Sequence, residues 1–112
     1  MPKEMKEYYD VDVYIPWTQV EDSAEGVMEK ILSIDEEGNK TRLLKYPSMQ
    51  AGKVCCHEFW EETFILQGSL YDAENDVSYL PGYYACRPPG MKHGPFSSPN
   101  GCLMIEFHYY KK

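Results

Sequence analysis

Gly82-Tyr83-Tyr84-Ala85-Cys86-Arg87-Pro88-Pro89-Gly90-Met91-Lys92-His93-Gly94-Pro95-Phe96 is the stretch on which the fold of this 112-residue chain turns. A glycine opens it and a strand-like run, Tyr83–Arg87, follows. Pro88-Pro89-Gly90 then ends that run in a turn that aims His93. Upstream, His57-Glu58-Phe59-Trp60-Glu61-Glu62-Thr63-Phe64-Ile65-Leu66-Gln67-Gly68 sets a histidine and a carboxylate before a second strand-like run, again closed by glycine. A small β-barrel could gather two histidines and a carboxylate around one ion. Imidazole and carboxylate suit Fe, Mn, Ni or Zn, and a vacant coordination position allows chemistry.

The chain around these segments has the same rhythm. Val11-Asp12-Val13-Tyr14-Ile15 alternates with period two and stops at Pro16, which predicts a short strand. The first ten residues read as an arm that frays or joins a sheet edge, and Thr18 to Glu25 as a polar loop. Val27–Ile34 and Thr41–Tyr46 flank the turn Asp35-Glu36-Glu37-Gly38-Asn39, so a hairpin explains both halves. Further strands are expected at Val54–Cys56, Glu62–Gln67, Ser69–Asp72, Val77–Leu80, Tyr83–Arg87 and Leu103–Tyr110. Many short strands with almost no helix mean an all-β barrel or sandwich. In the last strand Leu103, Ile105 and Phe107 alternate with Met104, Glu106 and His108, and one set faces the core.

Composition narrows the function classes. A chain of this length is one domain, read as an arm and edge strand over 1–25 and a barrel over 26–112. The 43% hydrophobic and 14% aromatic content argues for a packed core, and ten tyrosines with eight glycines and eight prolines favour strands and turns. Eighteen acidic against 11 basic residues leave a net charge of −7, which disfavours nucleic acid and anionic membranes as partners. No stretch has the length of a membrane-spanning helix, and Met1-Pro2-Lys3-Glu4 lacks the apolar core of an export signal. The expectation is a soluble cytoplasmic protein whose four cysteines, Cys55, Cys56, Cys86 and Cys102, stay reduced.

These two segments resemble the paired motifs of the cupin family. The second motif of that family, Gly, five residues, Pro-x-Gly, two residues and His, is matched at Gly82, Pro88, Gly90 and His93. Ser97 stands where the family often has Asn. In the first motif Glu61 and Gly68 match, His57 takes the place of the second histidine, and Cys55 falls where the first would be. A second register makes His57 the first histidine and puts Phe59 in place of the next. The first register preserves the spacing to Glu61 and Gly68 and is preferred. The resemblance covers Gly26 to Tyr110 and is nearest to the cupin domain of zinc-binding anti-sigma factors and to small dioxygenases that cleave diketones. It implies an all-β, double-stranded β-helix (jelly-roll) barrel and one divalent metal ion held by His57, Glu61 and His93, with Cys55 as a fourth ligand. It also implies homodimers paired through edge strands.

Each of these residues has a plainer alternative. His57 is a surface or core histidine if the spacing means nothing, Glu61 a solvated hairpin charge beside Glu62, and Cys55 a buried thiol. Glu58 has the wrong parity to join His57. His108 and Glu106 read as packing or hydrogen-bonding residues, or as lining of the barrel mouth if their face points inward. Two functions follow from the resemblance: a metal-dependent dioxygenase acting on a small carbonyl compound, or a non-catalytic module that binds a small ligand or metal. A metal-free structural barrel is the third.

Overall fold

The computed structural model describes residues 2–49, 54 and 56–110. In chain order these form α1 (Val11–Tyr14), β1 (Thr18–Gln19), β2 (Met28–Ile34), β3 (Lys40–Tyr46) and β4 (Trp60–Gly68). Then come β5 (Leu70–Asp72), β6 (Val77–Tyr79), β7 (Tyr84–Arg87), β8 (Phe96–Ser97) and β9 (Cys102–Tyr109). A six-stranded sheet in the order β1-β2-β3-β9-β4-β7 faces a three-stranded sheet in the order β6-β5-β8, and every pairing is antiparallel. The strand rhythm predicts the all-β class, and the arrangement is the jelly-roll that the resemblance implies.

The predicted hairpin is present, with β2 and β3 paired through Glu29↔Leu44 and Ile31↔Arg42. Three local expectations differ. Val11–Ile15 is not a strand but one helical turn. The Asp10 side chain accepts from the backbone N–H groups of Asp12 (3.1 Å) and Val13 (3.3 Å), and this cap wins over alternation in a segment with no neighbouring strand. Val54, Cys56 and His57 lie in irregular backbone before β4, and Cys55 lies outside the described residues. Thr18–Gln19, read as loop, adds to the sheet edge beside β2.

Lys30, on the outer face of β2, carries the N-terminal arm. Its ammonium donates to the Val11 carbonyl at 3.0 Å, and the Trp17 ring lies 5.0 Å from it and 4.2 Å from the Lys45 ammonium. Covered in this way, Lys30 is buried.

The inner face of the large sheet divides into an apolar and a polar end, and cross-strand register decides where. Residues directly opposite on neighbouring strands share a face. Leu44↔Met104↔Ile65 forms one inward row, and with Val27, Leu70 and Cys102 it makes the core. The next inward row is Arg42↔Glu106↔Thr63, and the outermost is Lys40↔His108↔Glu61↔Arg87. Burial of each large apolar side chain in this core contributes roughly 1.5–3 kcal/mol, so the closed end anchors the barrel and the polar end is left for a site. Gly68 closes β4 with φ +80°, and a Cβ there would strike the Gly101 carbonyl, so only glycine fits where β4 meets the start of β9.

Candidate metal centre

Three segments bring the candidate ligands together. Glu61 stands on β4 and is 3% exposed. His57 approaches from the irregular segment before β4, where Phe59 stacks on its ring at 4.7 Å. The same Phe59 stacks on the His108 ring at 4.4 Å, so one aromatic side chain orients two imidazoles. His93 follows the Pro88-Pro89-Gly90 turn. That turn is tied to the other motif by the Gly90 N–H, which donates to the His57 carbonyl at 2.8 Å with Gly90 at φ +84°. The two sequence segments are thus joined by backbone next to their histidines.

The geometry is close enough for one ion. The ligand atoms of His57, Glu61 and His93 all lie within 4.8 Å of one another. His57 Nε2 is 3.9 Å from Glu61 Oε2, and His93 Nε2 is 3.7 Å from Glu61 Oε1. Among the described residues, His93 Nδ1 is buried without a hydrogen-bond partner. Two nitrogens and a carboxylate, inward-facing at a cavity of about 500 Å³, fit a divalent cation of the Zn or Fe type. Glu61, Glu106 and His108 form a second such group that shares Glu61 with the first.

Electrostatics at Glu61 is already crowded. The Arg87 guanidinium donates to Oε1 at 2.8 Å, and His108 Nε2 lies 3.2 Å from Oε2 and 3.0 Å from Glu106 Oε1. Arg42 in turn donates to Glu106 at 2.9 and 3.0 Å and to Glu29 at 2.8 Å. Burial alone would raise the Glu61 carboxyl; the His108 hydrogen bond and the Arg87 charge outweigh it and hold the group down at about 2. Burial pulls His108 toward the neutral form, but the Glu106 and Glu61 carboxylates raise it above its usual value. His93 goes the other way, lowered first by burial and then by Arg87.

The histidine and carboxylate of the first motif and the histidine of the second therefore meet at one point. The idea that Glu61 is a solvated hairpin charge is overturned by its burial, and Glu58 is exposed. Phe59, the ligand position of the second register, serves as a stacking surface. Sequence reasoning missed Arg87, Arg42 and Lys40, and treated Glu106 and His108 as accessory. A signal was available: Glu106 and His108 are in phase with Met104, and the structure turns that face inward, with all three buried.

The chain from residue 7 to 111 matches the model of the ChrR cupin-like domain. Solved structures share the fold. An RmlC-like cupin from Shewanella frigidimarina aligns with TM-score 0.73 at 15% identity, covering 96% of this chain and 94% of that one. An acetylacetone dioxygenase from Acinetobacter johnsonii aligns with TM-score 0.72 at 18% identity, covering 94% and 75%. The Rhodobacter sphaeroides complex of SigE with the anti-sigma factor ChrR gives 0.67 at 23% identity, over 87% of this chain and 51% of that chain. Comparison with curated proteins finds no match. The twin motifs, the jelly-roll register and the match along nearly the whole chain agree: this protein belongs to the ChrR cupin-like domain family.

Proposed function

We propose that the protein is a small metal-binding cupin that holds one divalent ion at His57, Glu61 and His93 and uses it as a dioxygenase on a small carbonyl compound. The observation that carries this reading is the convergence of those three ligands within 4.8 Å of one another in the lining of one cavity. Bound there, the ion would act as a Lewis acid toward chelating oxygens and offer a position for O2. The chain's own contribution is orientation and exclusion of water. Phe59 fixes two imidazoles, Arg87 and His108 fix the Glu61 carboxylate, and Leu70 and Phe96 supply apolar wall.

Metal content by mass spectrometry, for wild type and His93→Ala, is the first test. About one ion per chain, lost in the variant, is expected; no uptake of Fe(II), Zn, Mn or Ni would refute the metal centre. O2 consumption by the Fe(II) protein with acetylacetone and with oxo acids then tests catalysis. Metal binding without O2 consumption would favour the alternative, a non-catalytic sensing module. One observation supports that alternative: Arg87 and His108 already balance Glu61 without any ion. The set of three is complete without Cys55, which lies outside the described residues.

A homodimer belongs to the same proposal. The outward face of β9, β4 and β7 exposes Phe64, Leu66, Tyr84 and Phe107, and its one inner carboxylate, Glu62, is held by the Tyr84 hydroxyl (2.6 Å) and the Tyr109 hydroxyl (2.8 Å). Such a face can lose water with both Glu62 oxygens still hydrogen-bonded. Light scattering of wild type and Phe64→Glu tests it, with a dimer expected only for the first. A cytoplasmic setting is supported by the free thiols of Cys56, Cys86 and Cys102; no helix of the described residues is long and apolar enough to cross a membrane.

A further inference from the structure

We propose that Arg87 is a specificity-determining residue, seating the carboxylate of a small oxo acid beside the metal with Thr63 as a second polar contact. The proposal deepens the metal-centre reading and rests on it. Three observations carry it.

The first is placement. Arg87 lines the 500 Å³ cavity that contains His57 and Glu61, and also the adjoining cavity of about 430 Å³. Its Nη1 is 2.8 Å from Glu61 Oε1, the oxygen that also lies nearest His93 Nε2, so a group bound to the ion comes within reach of the guanidinium. Among the described residues the guanidinium makes that one hydrogen bond and a 5.8 Å contact over the Phe96 ring. A guanidinium carries five donors, and its planar fork suits a carboxylate.

The second is charge. Lys40, Arg42 and Arg87 pair with Glu29, Glu61 and Glu106 at the polar end of the barrel, His108 lies between Glu61 and Glu106, and Glu21 and Asp22 line the same cavity. A divalent ion at Glu61 competes with Arg87 for the same carboxylate. The guanidinium is then left nearly buried with part of its counter-charge withdrawn. A carboxylate supplies that counter-charge where a neutral diketone does not.

The third is an orphan. Thr63 is 6% exposed and its Oγ1 is buried without a hydrogen-bond partner among the described residues. It lines both cavities, as do Arg87, Leu70 and Phe96. A buried hydroxyl left unpaired costs free energy that a ligand oxygen recovers, and Leu70 with Phe96 offers a surface for a short apolar tail.

The experiment uses two probes of one shape, 2-oxovalerate and neutral 2,3-hexanedione, titrated calorimetrically into the zinc-loaded protein. Zinc is titrated first. The wild type should prefer the acid by roughly 10- to 100-fold, the range of a charged hydrogen bond. In Arg87→Gln, compared at equal zinc occupancy fixed by the first titration, the ratio of the two affinities should fall to within about 3-fold. An equal affinity of the wild type for both probes would overturn the proposal, as would an acid preference that survives Arg87→Gln. Absence of zinc binding in the first titration refutes the metal centre instead. The carboxylate seat beside the ion falls with it. Should Arg87→Gln fail to fold, judged by circular dichroism, Arg87→Lys replaces it: the charge stays and the planar fork is lost, so the acid preference should fall, and an unchanged preference rejects the role.

Discussion

Replacing Glu61 by Gln keeps the side chain's shape and removes its charge, and the consequence for the metal-free protein can be worked out. Glu61 is 3% exposed and Arg87 is held against it at 2.8 Å, its own side chain only 12% exposed. Without the carboxylate, Arg87 has no counter-charge at that distance, whereas His108 keeps Glu106 at 3.0 Å. Breaking one partner of a buried pair costs about 3–5 kcal/mol. Titration gives a second route: a carboxyl lowered from 4.5 to about 2, at about 1.4 kcal/mol per unit, stores about 3 kcal/mol at neutral pH. The folded-state value is depressed, so this stability is present in full above pH 4.5 and is lost as pH falls through about 2. Urea denaturation of wild type and Glu61→Gln across pH 7 to pH 2 reads it directly. We expect the variant to be less stable by about 3 kcal/mol at pH 7, a fall of about 12 °C in Tm at roughly 4 °C per kcal/mol. The gap should close progressively below pH 4.5. A variant as stable as wild type at pH 7, or a gap that stays constant down to pH 2, would refute the reasoning: Arg87 would then not depend on the charge.

Other outcomes are equally specific. Gly68→Ala places a side chain at φ +80° and into the Gly101 carbonyl, so it should cost more than the 1–2 kcal/mol of a left-handed alanine alone, read by urea unfolding; a loss below 1 kcal/mol would mean the β4–β9 junction gives way easily. Trp17→Ala removes the ring that faces Lys30 and Lys45, and should cost about 1–2 kcal/mol and speed proteolytic release of the arm while metal uptake is retained. Unchanged proteolysis would show that the Lys30 bond to Val11 suffices. Cys102, buried in the core with its thiol pushed up to about 11 by that burial, should resist a thiol reagent at pH 8 until the protein unfolds, whereas exposed Cys56 and Cys86 react in the native state. Peptide mapping of the labelled protein distinguishes them.

The strands, their turns and the pairing of the two motifs could be read in the chain because they depend on local chemistry. Period-two alternation, proline and glycine at turns, and the spacings from Glu61 to Gly68 and from Gly82 to His93 are all short-range, and β2, β3, β4, β7 and β9 fall where those signals lie. Local reading failed where a competing contact decided. Asp10 capped Val11–Tyr14 into a helical turn, and Thr18–Gln19 became a strand only because β2 offered an edge. The metal-site candidates His57, Glu61 and His93 were legible by spacing; their separations of 3.7–3.9 Å were not. Arg87, Arg42 and Lys40 gave no signal at all, since a charged residue on a strand looks the same whether it meets water or a carboxylate. That choice is made by cross-strand register, which sets Lys40, His108, Glu61 and Arg87 in one inward row. Sequence alone determined which segments could be strands and where the motifs end. Tertiary structure decided which face of each strand is dry, because burial of charge is favourable only when partners from distant strands arrive together.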